Sequence, residues 1–122
     1  MRIFKNKWFA RFAKKEGIDD KTLIDVIANA EVARIDADYG GDVIKQRIAR
    51  AHEGKSGGYR TVILFREGDK AFFIYGFAKK DLDNIDKADV KGFKKLAKVM
   101  LSLSDGQLEM MLKRKEIEEI TQ

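Results

Sequence analysis

The sequence predicts an α+β domain, a small twisted antiparallel sheet with helices contributed by both ends of the chain. Three observations carry this prediction. Apolar residues recur at helical spacing over residues 8–30 and again over 90–112. Between residues 43 and 76 they alternate or run in short β-branched and aromatic blocks. The 122 residues contain no proline, no repeat and no Ser-rich linker, so residues 1–122 read as one domain around one core.

Arg2 to Lys5 is expected to be a short edge strand. Trp8, Phe9 and Phe12 then fall at helical spacing up to Gly17, and Asp19 or Asp20 caps a second helix carrying Leu23, Val26, Ile27 and Ala30. After Gly40-Gly41, residues 43–50 alternate, with Ile44 and Ile48 on one face and Lys45, Arg47 and Ala49 on the other. Residues 52–58 are a polar, glycine-bearing loop. Residues 59–66 and 71–76 form a central hairpin turned at residues 67–70. This gives three or four strands. Val90, Phe93, Leu96, Ala97, Met100 and Leu101 make a helical stripe beyond Asp86, with Lys91, Lys94, Lys95 and Lys98 mostly outside it. Ser104 and Gln107 match a capping box for a last helix, within an extension from about residue 104 to 122. The end, with Ile117 and Ile120, reads equally as a helix end or an added strand.

Several chemistries are excluded by composition. With no cysteine and one histidine, disulfides and thiolate or imidazole metal centres are not expected, so no metal and no cofactor are assigned. Asp81, Asp83 and Asp86 imitate a calcium loop, but Ile85 falls on a ligand position and Asp86 on the obligatory glycine. There is no phosphate-cradling loop ending in Lys-Ser/Thr and no nucleophile turn that would make His52 part of a triad. No secretory signal or membrane-length apolar run is present, so the cytoplasm is the expected compartment and no membrane partner is expected.

The charge is +5, and its distribution is more informative than its size. Residues 45–66 carry six basic side chains (Lys45, Arg47, Arg50, Lys55, Arg60, Arg66) against Glu53 alone, whereas residues 104–122 carry five acids against three bases. One face thereby gains a field that attracts phosphates. Strand pairing would bring Lys45, Arg47, Arg50 and Arg60 towards Lys79 and Lys80; read alone, these are equally solvated sheet-edge charges. Such groups suffice to cut RNA without metal. The 2′-hydroxyl is the substrate's own nucleophile, a lysine among cations is driven towards its neutral, basic form, and arginine grips two phosphate oxygens in a planar fork.

The segments Val43-Ile44-Lys45-Gln46-Arg47-Ile48-Ala49-Arg50, Gly54-Lys55-Ser56-Gly57-Gly58-Tyr59-Arg60-Thr61-Val62 and Ile74-Tyr75-Gly76-Phe77-Ala78-Lys79-Lys80-Asp81 together resemble the RelE/ParE toxin superfamily. The resemblance is nearest to its HigB-like, phage-derived RelE-type branch of type II toxin–antitoxin systems, and strongest from about residue 40 to 85. It implies a RelE-like fold, with two N-terminal helices packed on the sheet. It also implies an mRNA interferase, an endoribonuclease that cuts messages in the ribosomal A site. The same resemblance implies a cognate antitoxin, encoded beside the toxin and carrying a helix-turn-helix or similar domain. Arg60 resembles the family's phosphate-holding arginine, Arg47 and Arg50 the basic residues of the preceding strand, Lys79 and Lys80 the basic pair after the last central strand, and Lys55 the basic loop. Catalysis is thus expected from Arg60, Lys79, Lys80 and Arg47, and RNA binding from Lys45, Arg50, Lys55, Tyr59 and Phe77. Tyr59, Tyr75 and Phe77 are candidates for base stacking, with core packing as the alternative. Where the best-studied type of RelE has an arginine and a tyrosine shortly after the lysine pair, the resemblance places Leu82 and Ile85. Two other readings stand beside the RNase: a ParE-type gyrase inhibitor, and a non-enzymatic basic module that binds nucleic acid.

Overall fold

A computed structural model describes residues 1–50, 54–79 and 85–122; the side chains described are those of these residues other than 50 and 54–57. The elements are β1 (Arg2–Asn6), α1 (Lys7–Glu16), α2 (Asp20–Glu31), β2 (Ala37–Gly40), β3 (Val43–Arg50), β4 (Gly54–Arg66), β5 (Lys70–Ala78), α3 (Lys87–Met100), α4 (Asp105–Lys113) and β6 (Ile117–Ile120). The strands form one sheet in the order β2-β3-β4-β5-β1-β6.

Three expectations about the sheet are corrected. It has six strands among the described residues, because Ala37–Gly40 and Ile117–Ile120 join it. It is mixed, since β1 runs parallel to β5 and antiparallel to β6. And β1 is internal. Ile3 and Phe4 point to opposite faces and both are fully buried, which requires layers on both sides of the strand. The glycine-bearing stretch from Gly54 to Gly58 belongs to β4 rather than to a loop.

Alternation along the strands divides the core in two. Ile3, Ile44, Ile63 and Phe73 pack with Phe9 and Ala13 of α1 and Leu23, Val26 and Ile27 of α2. Phe4, Val43, Leu64 and Phe72 pack with Ala97 and Met100 of α3 and Leu108 of α4. Helices therefore cover both faces.

Local chemistry sets the boundaries. Asn6 ends β1 by donating its amide to the Ile74 carbonyl (3.1 Å) and starts α1 by accepting from the Phe9 N–H (2.7 Å). Gly17, at φ 70°, closes α1 in the left-handed conformation that glycine adopts without steric cost. Asp19 caps α2 and Asp86 caps α3, while Ser104 and Gln107 make both halves of the capping box on α4. Arg2 fixes the last two elements to β1. Its guanidinium meets Glu119 of β6 at 2.9 Å and Glu109 of α4 at 3.1 Å, and lies 5.0 Å from the Phe4 ring centroid.

Candidate nucleic-acid interface

The register between β3, β4 and β5 arranges three successive rows on the face that α3 crosses. Val43, Leu64 and Phe72 form the first, Lys45, Val62 and Tyr75 the second, and Arg47, Arg60 and Phe77 the third. Between Val62 and Ile63 the β4–β5 register slips by one residue, and Ile74 is the extra residue on β5. This bulge aims Tyr75 and Phe77 at the same face as Val62 and Arg60. Neighbours within a row lie about 5 Å apart and rows about 7 Å apart. The face thus changes from apolar beneath α3 to one cation, Lys45, in the middle row and two, Arg47 and Arg60, in the outer row.

In that outer row Arg47 is exposed, and its Nε is 3.6 Å from the Asp36 carboxylate. Asp36 is itself held in place, because its N–H donates to Gln46 Oε1 at 2.9 Å. The Gln46 side-chain amide donates to the carbonyls of Arg34 (2.9 Å) and Val26 (3.4 Å), and its backbone carbonyl accepts from the Thr61 hydroxyl. Gln46 is buried, so satisfying all its polar groups matters for stability. Arg60 is only 5% exposed and its Nη1 donates to the Tyr59 carbonyl at 3.4 Å. Among the described residues no carboxylate is within ion-pair distance of Arg60. Lys79 is exposed, one residue beyond β5, with its N–H donated to the Gly58 carbonyl. Alternation from Tyr75 and Phe77 continues to this position. Lys45 is half-buried in the middle row.

The structure thus brings Lys45, Arg47, Arg60, Phe77 and Lys79 to one face. Phe77 is 5% exposed, its ring 6.0 Å from Tyr75, so it forms part of the wall beneath the basic groups. Tyr59 lies on the opposite face, buried in the core of α1 and α2 with its ring edge-on to Phe12 at 5.7 Å. That position keeps it out of the basic row, because strand alternation turns neighbouring Arg60 and Tyr59 to opposite sides. The side chains of Arg50 and Lys55, and Lys80, His52, Leu82 and Asn84 altogether, lie outside the described residues. Ile85 is buried with Val43 and Val62.

Two side chains beside these rows were not singled out as site candidates in the sequence. Trp8, placed on the first helix by its spacing with Phe9 and Phe12, is 45% exposed. It stacks on Phe12 (5.4 Å) and lies tilted against Tyr75 (4.7 Å), beyond the point where β1 stops pairing with β5. It thereby adds an exposed aromatic surface beside the middle row. Asp36, which engages Arg47, had no sequence signal except its position after α2.

Among the described residues no group of His, Asp and Glu is placed to hold a metal ion, and no helix is long and apolar enough to cross a membrane.

A family model described as the RelE toxin of the RelE/RelB toxin–antitoxin system matches residues 1–120. No curated protein and no solved structure matches the chain.

Proposed function

Since the chain belongs to the RelE toxin family of toxin–antitoxin systems, we propose that it is a metal-independent endoribonuclease acting on messages in the ribosome. The observation that supports this best is the shared row of Arg47 and Arg60, with Lys45 and Lys79 on the same sheet face. In the proposed reaction the 2′-oxygen of a ribose attacks the adjacent phosphorus, and the bond to the 5′-oxygen of the next nucleotide breaks. The 2′-proton leaves to a base and the departing 5′-oxygen takes up a proton. The products are a 2′,3′-cyclic phosphate and a 5′-hydroxyl end.

Arg60 and Arg47 are assigned to the non-bridging phosphate oxygens, where charge accumulates in the transition state. Fixed guanidinium groups cost little reorganisation there, and arginine stays charged throughout. Lys79, exposed at the end of β5, is assigned to proton transfer together with Lys80. Lys45, Arg50 and Lys55 are assigned to neighbouring phosphates. The stacking role moves from Tyr59 to Tyr75 and Trp8, whose rings are half-buried and exposed beside the middle row.

The test is the chemistry of the ends. Purified protein added to translating ribosomes should yield message fragments with 5′-hydroxyl and cyclic-phosphate ends. Fragments with 5′-phosphate ends would contradict 2′-hydroxyl attack.

A further inference from the structure

A groove among the described residues lies away from the basic row. It has a volume of about 860 Å³ and is bounded by α1 on one side and by β6 with the end of α4 on the other. Its floor is apolar, formed by Ala10, Ile18 and Leu112 among others. Lys7, Arg11 and Lys14 recur at helical spacing along its α1 side, and Lys115, between α4 and β6, lines the other side. All four are exposed, and none has an ion pair among the described residues. Two acids line the groove against these cations. Glu119 is bound by Arg2, and Glu118 lies 4.0 Å from Lys5, which also holds Asp20 at 2.9 Å. The groove therefore presents uncompensated positive charge around an apolar floor.

A second feature points to an extended occupant. β6 is the last strand of the sheet, so its outer edge pairs with no strand among the described residues. An unpaired edge is a template for a further strand from another chain. A segment laid there would have Lys7, Arg11 and Lys14 above it and Lys115 below. Acidic side chains on such a segment satisfy these cations, and an apolar side chain between them fills the floor.

We propose that this groove docks an acidic, strand-forming segment of the antitoxin, and that binding there leaves the Arg47–Arg60 row uncovered. The occupant rests on the chain's membership of a toxin–antitoxin family; the surface rests on the groove. The row lies on β3 and β4, while the groove follows β6, at the other edge of the sheet. Neutralisation then works by bulk and orientation, keeping the toxin from its target, rather than by covering the arginines.

The test is amide hydrogen exchange on the full chain, alone and bound to the co-expressed antitoxin encoded beside it. The expected result is new protection in residues 7–18 and 112–120, with residues 43–50 and 58–79 unchanged. An Arg11→Glu/Lys14→Glu variant, altered only on the exposed side of α1, should keep its fold and toxicity. It should bind antitoxin on the order of 100-fold more weakly. Protection confined to residues 43–50 and 58–79 would overturn the docking surface and leave the toxin reading intact. Failure of the wild-type chain to form any complex would overturn the partner assignment and the docking proposal together.

Discussion

Asp36 holds Arg47: its Oδ1 lies 3.6 Å from the arginine Nε, and the Asp36 N–H is anchored on the buried Gln46 at 2.9 Å. An arginine assigned to a phosphate is thus resting on a carboxylate, and binding the phosphate means exchanging one anion for another. The pair is partly exposed, so the exchange involves a modest energy, about 1 kcal/mol or less. Replacing Asp36 by Asn should therefore tighten binding of a non-cleavable 2′-O-methyl RNA by up to about fivefold. Fluorescence titration at low salt checks this; unchanged or weaker binding would mean that Asp36 orients Arg47 rather than competing for it.

Gly76 is required by packing. A Cβ built on it would lie 2.5 Å from Cε2 of the Phe12 ring, so α1 sits on β5 only because this position has no side chain. Gly76→Ala should destabilise the protein by about 1–3 kcal/mol, the usual cost of overpacking a well-filled core. Urea denaturation measures it.

The Tyr39 hydroxyl is buried with no hydrogen-bond partner among the described residues, and burial raises its pKa above the ordinary phenol value. An unsatisfied buried hydroxyl carries a desolvation penalty. Tyr39→Phe should therefore be neutral or stabilising by up to about 1 kcal/mol. Thermal melts check it, and a marked loss of stability would mean that the hydroxyl has a partner.

Acid should loosen the attachment of the C-terminal elements. The Arg2 hydrogen bonds hold the Glu119 carboxyl below its ordinary pKa, and those from Thr22 do the same for Asp19. A lowered folded-state pKa means that the unfolded chain binds the proton more tightly. The stability from each group is present above the ordinary carboxylate range and is lost as pH falls through the lowered value. Urea midpoints should fall between neutral pH and about pH 3. Glu119→Gln should flatten that decline, and an unchanged slope would remove Glu119 from the account.

Much of the fold was legible because its signals are local. Periodicity marked α1 and α3, Ser104 and Gln107 marked the start of α4, and alternation placed Lys45 and Arg47 opposite Ile44 and Ile48. What was lost depends on distant partners. The five residues of β1 look like an edge strand until Ile3 and Phe4 are both seen to be buried, and nothing local announces a parallel pairing with β5. At the candidate site the basic residues were legible from spacing and resemblance. The roles of the aromatics were not, because the bulge at Ile74 and the seat of α1 on Gly76 decide which rings face outward. Tyr59 turns inward by plain alternation along β4, opposite to Arg60.

The central claim is that the Arg47–Arg60 row cleaves RNA, and the most direct measurement is induction of the chain alone in a bacterial host, with and without Arg60→Ala, followed by transcriptome-wide mapping of 5′ ends. The account predicts growth arrest with new cuts inside translated frames for the wild-type chain. Arg60→Ala should remain folded by circular dichroism and lose cleavage by about 100-fold or more, the cost of removing one transition-state contact. A folded Arg60→Ala protein that still arrests growth and cuts the same sites would contradict the assignment of the row.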